Sequence, residues 1–259
     1  MFQFLTNASV QLVNRFLPSP FVFSIVLTFI ALVAGMILTG QNVLVMAGHW
    51  GNGLWSLHSF AMQMALILVT GYAFANAPII QRFLDNLAGK VTSPTMAIVV
   101  STLVGLAGSW INWGFGLVVG AIFAKSLARK VPNVDYPLLV AAAYSGFVIW
   151  HGGFSGSIPL TLSSGGDNLV KLSGGVLTEA VPLSETVFAS YNLIILFALI
   201  IILPIVNRLM HPKNPTTVDP SLIKIEAFVA PEKNTPAQKL DDSRIVALAL
   251  FAFAVLYYI

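Results

Sequence analysis

The chain has no cysteine, and only 9% of its 259 residues are Asp, Glu, Lys or Arg, against roughly 25% in an average soluble domain. The first absence excludes disulfides, thiolate metal sites and a thiol nucleophile. The second argues against a soluble fold: no Asp, Glu, Lys or Arg occurs from Phe16 to Gln81, whereas a helix on a soluble surface needs a recurring polar face. Charge is also missing from the depth of every apolar run, which removes the carboxylate of a usual proton relay and any buried cationic anchor. What is present is apolar. Hydrophobic residues make up 57% of the sequence, in runs long enough to cross a bilayer, so the chain reads as an all-α integral membrane protein, a polytopic helical bundle in a lipid bilayer. The net charge of +3 and the pI of 9.2 come from loop cations that set orientation; they give no nucleic-acid surface.

The apolar runs and the positions of Lys and Arg give an expected topology. Residues 1–18 read as an amphipathic interfacial helix, with Phe2, Leu5, Leu12, Val13 and Phe16 at helical spacing opposite Gln3, Asn7, Gln11 and Asn14. The run from Phe21 to Leu38 is too long for a signal-peptide core and no small-x-small cleavage pattern follows, so it reads as a retained first span. The glycine-rich stretch Gln41 to Ser56 reads as an outward loop, and Leu57 to Asn76 as the second span. A membrane domain of about six apolar segments is expected over residues 19–206, then a cytoplasmic linker over 207–244 with six Lys or Arg and five prolines. Residues 245–259 read as the truncated start of a further membrane helix. Assigned this way, twelve of the thirteen Lys and Arg face the cytoplasm and only Lys171 lies outside, which makes the amino terminus cytoplasmic.

Two apolar segments are interrupted, near 109–116 and 151–157. From Val91 to Ala124 the chain is uncharged for 34 residues; as one helix it would reach ~51 Å, well beyond a hydrocarbon layer of ~30 Å. Lys90 precedes this run and Lys125, Arg129 and Lys130 follow it, so both ends belong to the cytoplasmic side, and a hairpin turning inside the membrane near Asn112 satisfies length and charge together. Such re-entrant or discontinuous segments survive in lipid only where protein or water covers them, and secondary transporters build substrate and ion sites from them. A half-helix starting near Gly114 would turn N–H groups and partial positive charge toward the break, and glycine would let an anion approach the backbone. The candidate substrate-binding residues are therefore Ser109, Asn112, Gly114 and Gly116 on the first break and Gly153, Ser155, Gly156 and Ser157 on the second. Gln63 and Thr70, which share a helical face, with Trp113, Phe115, Phe154 and His151, are candidates for lining the cavity. No metal site and no cofactor is expected; the coupling ion, Na+ or H+, is left open.

Each feature has a plainer reading. Kinks and packing glycines are common in membrane helices. Gln63 and Thr70 would equally suit an interhelical hydrogen bond, His151 beside an outward loop would usually be merely hydrated, and Trp50 and Trp55 suit interface anchors. Gly153-Phe154-Ser155-Gly156 has the G-x-S-G form found around the nucleophile of rhomboid-type intramembrane serine proteases. That chemistry needs a histidine from another membrane helix, and the only downstream histidine, His211, adjoins Pro212 and Lys213 at the expected cytoplasmic edge. The chain is therefore not expected to be an enzyme; a channel-like pore and a non-transporting remnant are the readings that compete with a carrier.

The block Ile111-Asn112-Trp113-Gly114-Phe115-Gly116-Leu117-Val118-Val119-Gly120-Ala121, followed by Val131-Pro132 and Asp135-Tyr136-Pro137-Leu138-Leu139, closely resembles the bacterial short-chain fatty acid transporter family of acetoacetate and butyrate uptake. Met62-Gln63-Met64-Ala65-Leu66-Ile67, Val69-Thr70-Gly71 and Gly152-Gly153-Phe154-Ser155-Gly156-Ser157 also match. His151 departs from the family's G-G-G-F-S-G-S pattern, which implies a more polar entrance. The resemblance reaches Ile259 but covers only the amino-terminal portion of a family member. It implies an inner-membrane carrier, a symporter of acetate-, butyrate- or acetoacetate-like monocarboxylates, and one half of an inverted-repeat secondary transporter. A homo-oligomer or a second chain would then complete the cavity.

Overall fold

The computed structural model describes residues 2–56, 58–223 and 243–258, which fall into two units, one within residues 1–225 and one within 226–259. Helices dominate and no strand occurs among the described residues. The first unit begins with α1 (Phe2–Phe16) and α2 (Pro20–Thr39). Helix α2 starts where Ser19 accepts from Val22 N–H and Pro20 supplies a preset first turn, and it stops at Gly40, which takes the left-handed φ of 68°. No residue of α2 is buried. An all-apolar helix without protein cover is a helix for lipid.

Helices α3 (Val43–Ser56) and α4 (His58–Ala75) follow, then α5 (Pro78–Gly89), bent by 63° from α4. The sequence pattern suggests a loop over Gln41 to Ser56, but Asn42 Oδ1 accepts from Val45 N–H at 3.0 Å and starts α3 there. Met46 of α3 is buried and lies against Gly35 of α2. Pro78 likewise starts α5 in what reads as a connecting loop, and Leu84 and Ala88 bury one face of it.

The core lies between α6 (Pro94–Ile111), α7 (Trp113–Lys130) and α8 (Tyr136–Ser145). Its fully buried members include Ile98, Phe123, Leu127 and Leu139. These helices approach closely because glycines face backbone. A Cβ on Gly105 would stand 2.2 Å from Ala143 O, and one on Gly146 would stand 2.3 Å from Gly105 C and Leu106 N. Small residues that admit such contact are the usual basis of helix association in membranes. After α8 the chain tightens into a 3-10 stretch, Gly146–Gly152, before α9 (Ser157–Ser164), α10 (Gly166–Leu172) and α11 (Ser190–Leu209). Beyond α11, residues 210–223 fold back on the α7–α8 turn: Asp135 Oδ2 accepts from Thr216 N–H, and Thr216 O accepts from Tyr136 N–H.

Among the described residues, four stretches are long and apolar enough to cross a membrane, Pro20–Thr39, Pro94–Ile111, Tyr136–Ser164 and Ser190–Leu209, and the bent α4–α5 pair makes a fifth if taken as one span. Helix α7 matches α6 in length but carries Lys125, Arg129 and Lys130 in its second half. The molecule is thus a polytopic all-α membrane protein. The second unit contains α12 (Arg244–Tyr258). Much of the expected linker over 207–244, residues 224–242, lies outside the described residues.

Candidate functional site

The first break is one residue wide. Ile111 ends α6, Trp113 begins α7, and Asn112 between them is extended, at φ −153° and ψ 124°. Asn112 serves both helices. Its N–H donates to Gly108 O at 2.9 Å and closes α6, while its O accepts from Gly116 N–H at 2.8 Å and its Oδ1 from Phe115 N–H at 3.0 Å. A side chain that caps one helix while its backbone ends another makes a reversal in a single residue. So abrupt a turn presses the arms together, and a Cβ on Gly116 would stand 2.3 Å from Ser109 N. Helix α4 covers the other side: a Cβ on Gly71 would meet Phe115 N at 2.4 Å, and one on Gly114 would meet Ile67 O at 3.0 Å.

The second break lies at the same place. After the 3-10 stretch, Phe154 N–H donates to Trp110 O at 2.9 Å, and Ser155 Oγ accepts from Trp113 N–H at 2.8 Å. Trp150 Nε1–H donates to Ser155 O at 3.1 Å, and a Cβ on Gly153 would stand 2.3 Å from Trp110 O. The two breaks, 42 residues apart at Trp113 and Ser155, are thus bonded to each other. They supply each other's missing partners, as buried backbone requires. Around them stands an aromatic group, with ring centroids 4.8 Å apart for Trp110 and Phe154, 5.7 Å for Trp113 and Trp150, and 5.0 Å for Phe147 and Trp150.

Of the residues singled out in the sequence, the structure gathers Ser109, Asn112, Trp113, Gly114, Gly116, Gly153, Phe154 and Ser155 within this contact. Gly156 packs on Trp150 and His151, and Ser157 opens α9. His151 is exposed and stacks on Trp150 at 4.2 Å. Phe115 points into the core against Phe74 at 4.9 Å. Thr70 is exposed and donates to Leu66 O of its own helix, and Gln63 is exposed two turns before Gly71. Among the described residues no cluster of three or more His, Asp or Glu could hold a metal ion.

Two asparagines that the sequence pattern does not single out fasten the broken span. Asn192 Nδ2 donates to Gly152 O at 3.0 Å and to Val187 O at 2.8 Å. Asn207 Nδ2 donates to Thr102 Oγ1 at 3.0 Å and to Ser145 Oγ at 2.8 Å. Ser145 and Gly152 bracket the 3-10 stretch, so α11 grips it at both ends. The signal for them is a lone amide in an otherwise apolar run, which inside a membrane asks for a partner.

The opposite ends of α7 and α8 differ in character. Lys130 pairs with Asp85, whose carboxylate also accepts from Ser126 Oγ at 3.0 Å. A cavity of about 560 Å³ lies there, lined by Arg129, Lys130, Asn133, Tyr136, Thr217 and Asp219 among others. It is walled by the α7–α8 turn and the returning strap, and it does not include the breaks.

A family model described as "Short chain fatty acid transporter" matches residues 1–259. The chain belongs to this family. Two relatives are each provisionally named a short-chain fatty acid transporter. One, from Escherichia coli K12, is 40% identical over 252 residues, covering 95% of this chain and 56% of its own length. The other, from Haemophilus influenzae Rd, is 39% identical over 255 residues, with the same coverage of 95% and 56%. The chain therefore spans just over half the length of these relatives. No solved structure matches it. Both relatives carry the name of a transporter, not of an enzyme.

Proposed function

We propose that the chain forms the substrate-handling part of a secondary transporter that carries short-chain monocarboxylates, of acetate, butyrate or acetoacetate type, across the cytoplasmic membrane. The observation that carries this reading is the contact between the two helix breaks, at Asn112 and at Gly153 to Gly156, inside segments otherwise made for lipid. With the cations of α7 held at the cytoplasmic surface, the twelve residues from Trp113 to Ala124 carry the break ~18 Å inward, past the middle of a ~30 Å layer. The amino terminus is then cytoplasmic, and the remaining length found in relatives, or a second copy, closes the far side of the cavity. Because no acid lies in the breaks, a coupling cation would be held by carbonyl and hydroxyl oxygens, or the proton would arrive on the acid itself.

Uptake of labelled butyrate into vesicles reconstituted with the protein tests the reading. Saturable uptake that acetate competes away, and that Asn112→Leu abolishes, is the expected result, because the substitution removes the side-chain cap that starts α7 at the turn. Flux that never saturates would instead indicate a pore. Unchanged uptake in Asn112→Leu would take the first break out of the transport path.

A further inference from the structure

A buried polar atom without a partner is uncommon in a native protein, and each one asks what it is for. Among the described side chains three such atoms occur, Trp110 Nε1, Trp113 Nε1 and Thr186 Oγ1. None is scattered. Trp110 and Trp113 flank Asn112 at the first break, and Thr186 lies in the segment that Asn192 ties to the second break through Val187 O and Gly152 O. Meanwhile the donors that looked free in the sequence are engaged: Trp113 N–H by Ser155, Phe115 N–H by Asn112, Phe154 N–H by Trp110 O. The unmet hydrogen-bonding capacity of the breaks has therefore passed from the backbone to these side chains.

Their chemistry is one-sided. An indole nitrogen can only donate, and a hydroxyl can donate as well as accept. The indole can be satisfied only by an acceptor and the hydroxyl can give its proton to the same group, which a carboxylate provides with two oxygens and an ammonium cannot provide at all. Ring contacts link the two regions: Trp110 packs on Phe154 at 4.8 Å and Phe154 on Phe188 at 5.6 Å, and Phe188 follows Thr186 by two residues. Leu196 of α11 packs with Trp110 in the same apolar cluster. Thr186 itself is 8% exposed, so water reaches it poorly.

We propose that Trp110 Nε1–H and Thr186 Oγ–H are the donors that receive the substrate's carboxylate, with its short alkyl tail against Phe154, Phe188 and Leu196. This rests on the transport reading and deepens it, because it assigns the head group to the α11 side of the second break and makes α7's first turn a scaffold. A two- to four-carbon tail suits a wall of a few rings, whereas a charged or hydroxyl-rich tail would find no partner there.

Trp110→Phe and Thr186→Val delete these donors while keeping most of the shape. Equilibrium binding of labelled butyrate to the purified chain is measured alongside each variant's melting temperature. An orphaned donor contributes nothing to the empty protein, so the near-isosteric Thr186→Val should melt at or above the wild-type temperature, Trp110→Phe should lose only the packing of the trimmed ring, and both should bind butyrate about ten- to a hundredfold more weakly. If the wild type binds butyrate and both variants bind it equally well, this subsite is wrong and the transport reading stands. If Thr186→Val melts markedly lower, its hydroxyl has an internal partner and the assignment also fails. A wild type that binds no short monocarboxylate at all would overturn the subsite and the transport reading together. Should Trp110→Phe not fold, Thr186→Val alone decides between these outcomes.

Discussion

Removing the Ser155 hydroxyl should loosen the contact between the breaks by a calculable amount. In Ser155→Ala, Trp113 N–H loses its acceptor at 2.8 Å. No substitute is at hand, because Asn112 Oδ1 is engaged by Phe115 N–H and Trp110 O by Phe154 N–H. Ser155 is 6% exposed, so water does not readily replace it. A buried donor left unpaired costs about 1–3 kcal/mol, whereas an ordinary polar pair between membrane helices averages only ~0.6 kcal/mol because the unfolded chain in lipid also finds partners. The enclosed geometry favours the larger range. Thermal unfolding in detergent, followed by tryptophan fluorescence, gives the measurement, since Trp110, Trp113 and Trp150 surround the contact. Ser164→Ala is the control: its hydroxyl is exposed and bonded to Leu160 O within its own helix, so its loss should cost less than ~0.5 kcal/mol. Equal unfolding of the two variants would refute the claim that Ser155 joins the breaks.

Gly146→Ala should destabilise by about 1–3 kcal/mol, because the new methyl would press on the backbone of Gly105 and Leu106, which no rotamer change can clear; an unchanged melting temperature would show that α6 and the 3-10 stretch separate freely. Asp135→Ala removes the acceptor for both Leu138 N–H and Thr216 N–H and should cost ~1–2 kcal/mol while freeing the strap. Faster tryptic cleavage after Lys213 would report that release, and cleavage at the wild-type rate would count against the clasp.

The all-helical membrane architecture was legible because its cause is local: apolar runs, scarce charge and cations at their ends carry it without reference to the rest of the chain. The turn at Asn112 was legible for the same reason, since a 34-residue uncharged run flanked by cations has few ways to stay in a bilayer. Helices α3 and α5 were less so. The glycines over Gln41 to Ser56 and the cations Arg82 and Lys90 suggested loops there, while a cap from Asn42 and a helix start at Pro78 favour helix. The grips of Asn192 and Asn207 depend on pairings 40 to 105 residues apart, and no local pattern encodes which distant carbonyl or hydroxyl will be opposite.

The same limit explains why glycine and serine at the breaks carry more than one meaning. A glycine that could admit an anion could equally admit a neighbouring backbone, and here Gly116 admits Ser109, Gly153 admits Trp110 and Gly71 admits Phe115. Each close approach brings a carbonyl or hydroxyl near an amide that would otherwise await a ligand. The hairpin and the broken span therefore satisfy their backbones mutually, which is what allows irregular structure to persist in lipid at all. Once the backbone donors are satisfied, ligand recognition has to come from groups the fold leaves unpaired. Two of them, the indole nitrogens of Trp110 and Trp113, belong to rings packed on Phe154 and Trp150, so the rings that shape the apolar wall also hold polar atoms. On the reading proposed above, a small acid with one charged end and one apolar end is the ligand that such a wall would discriminate.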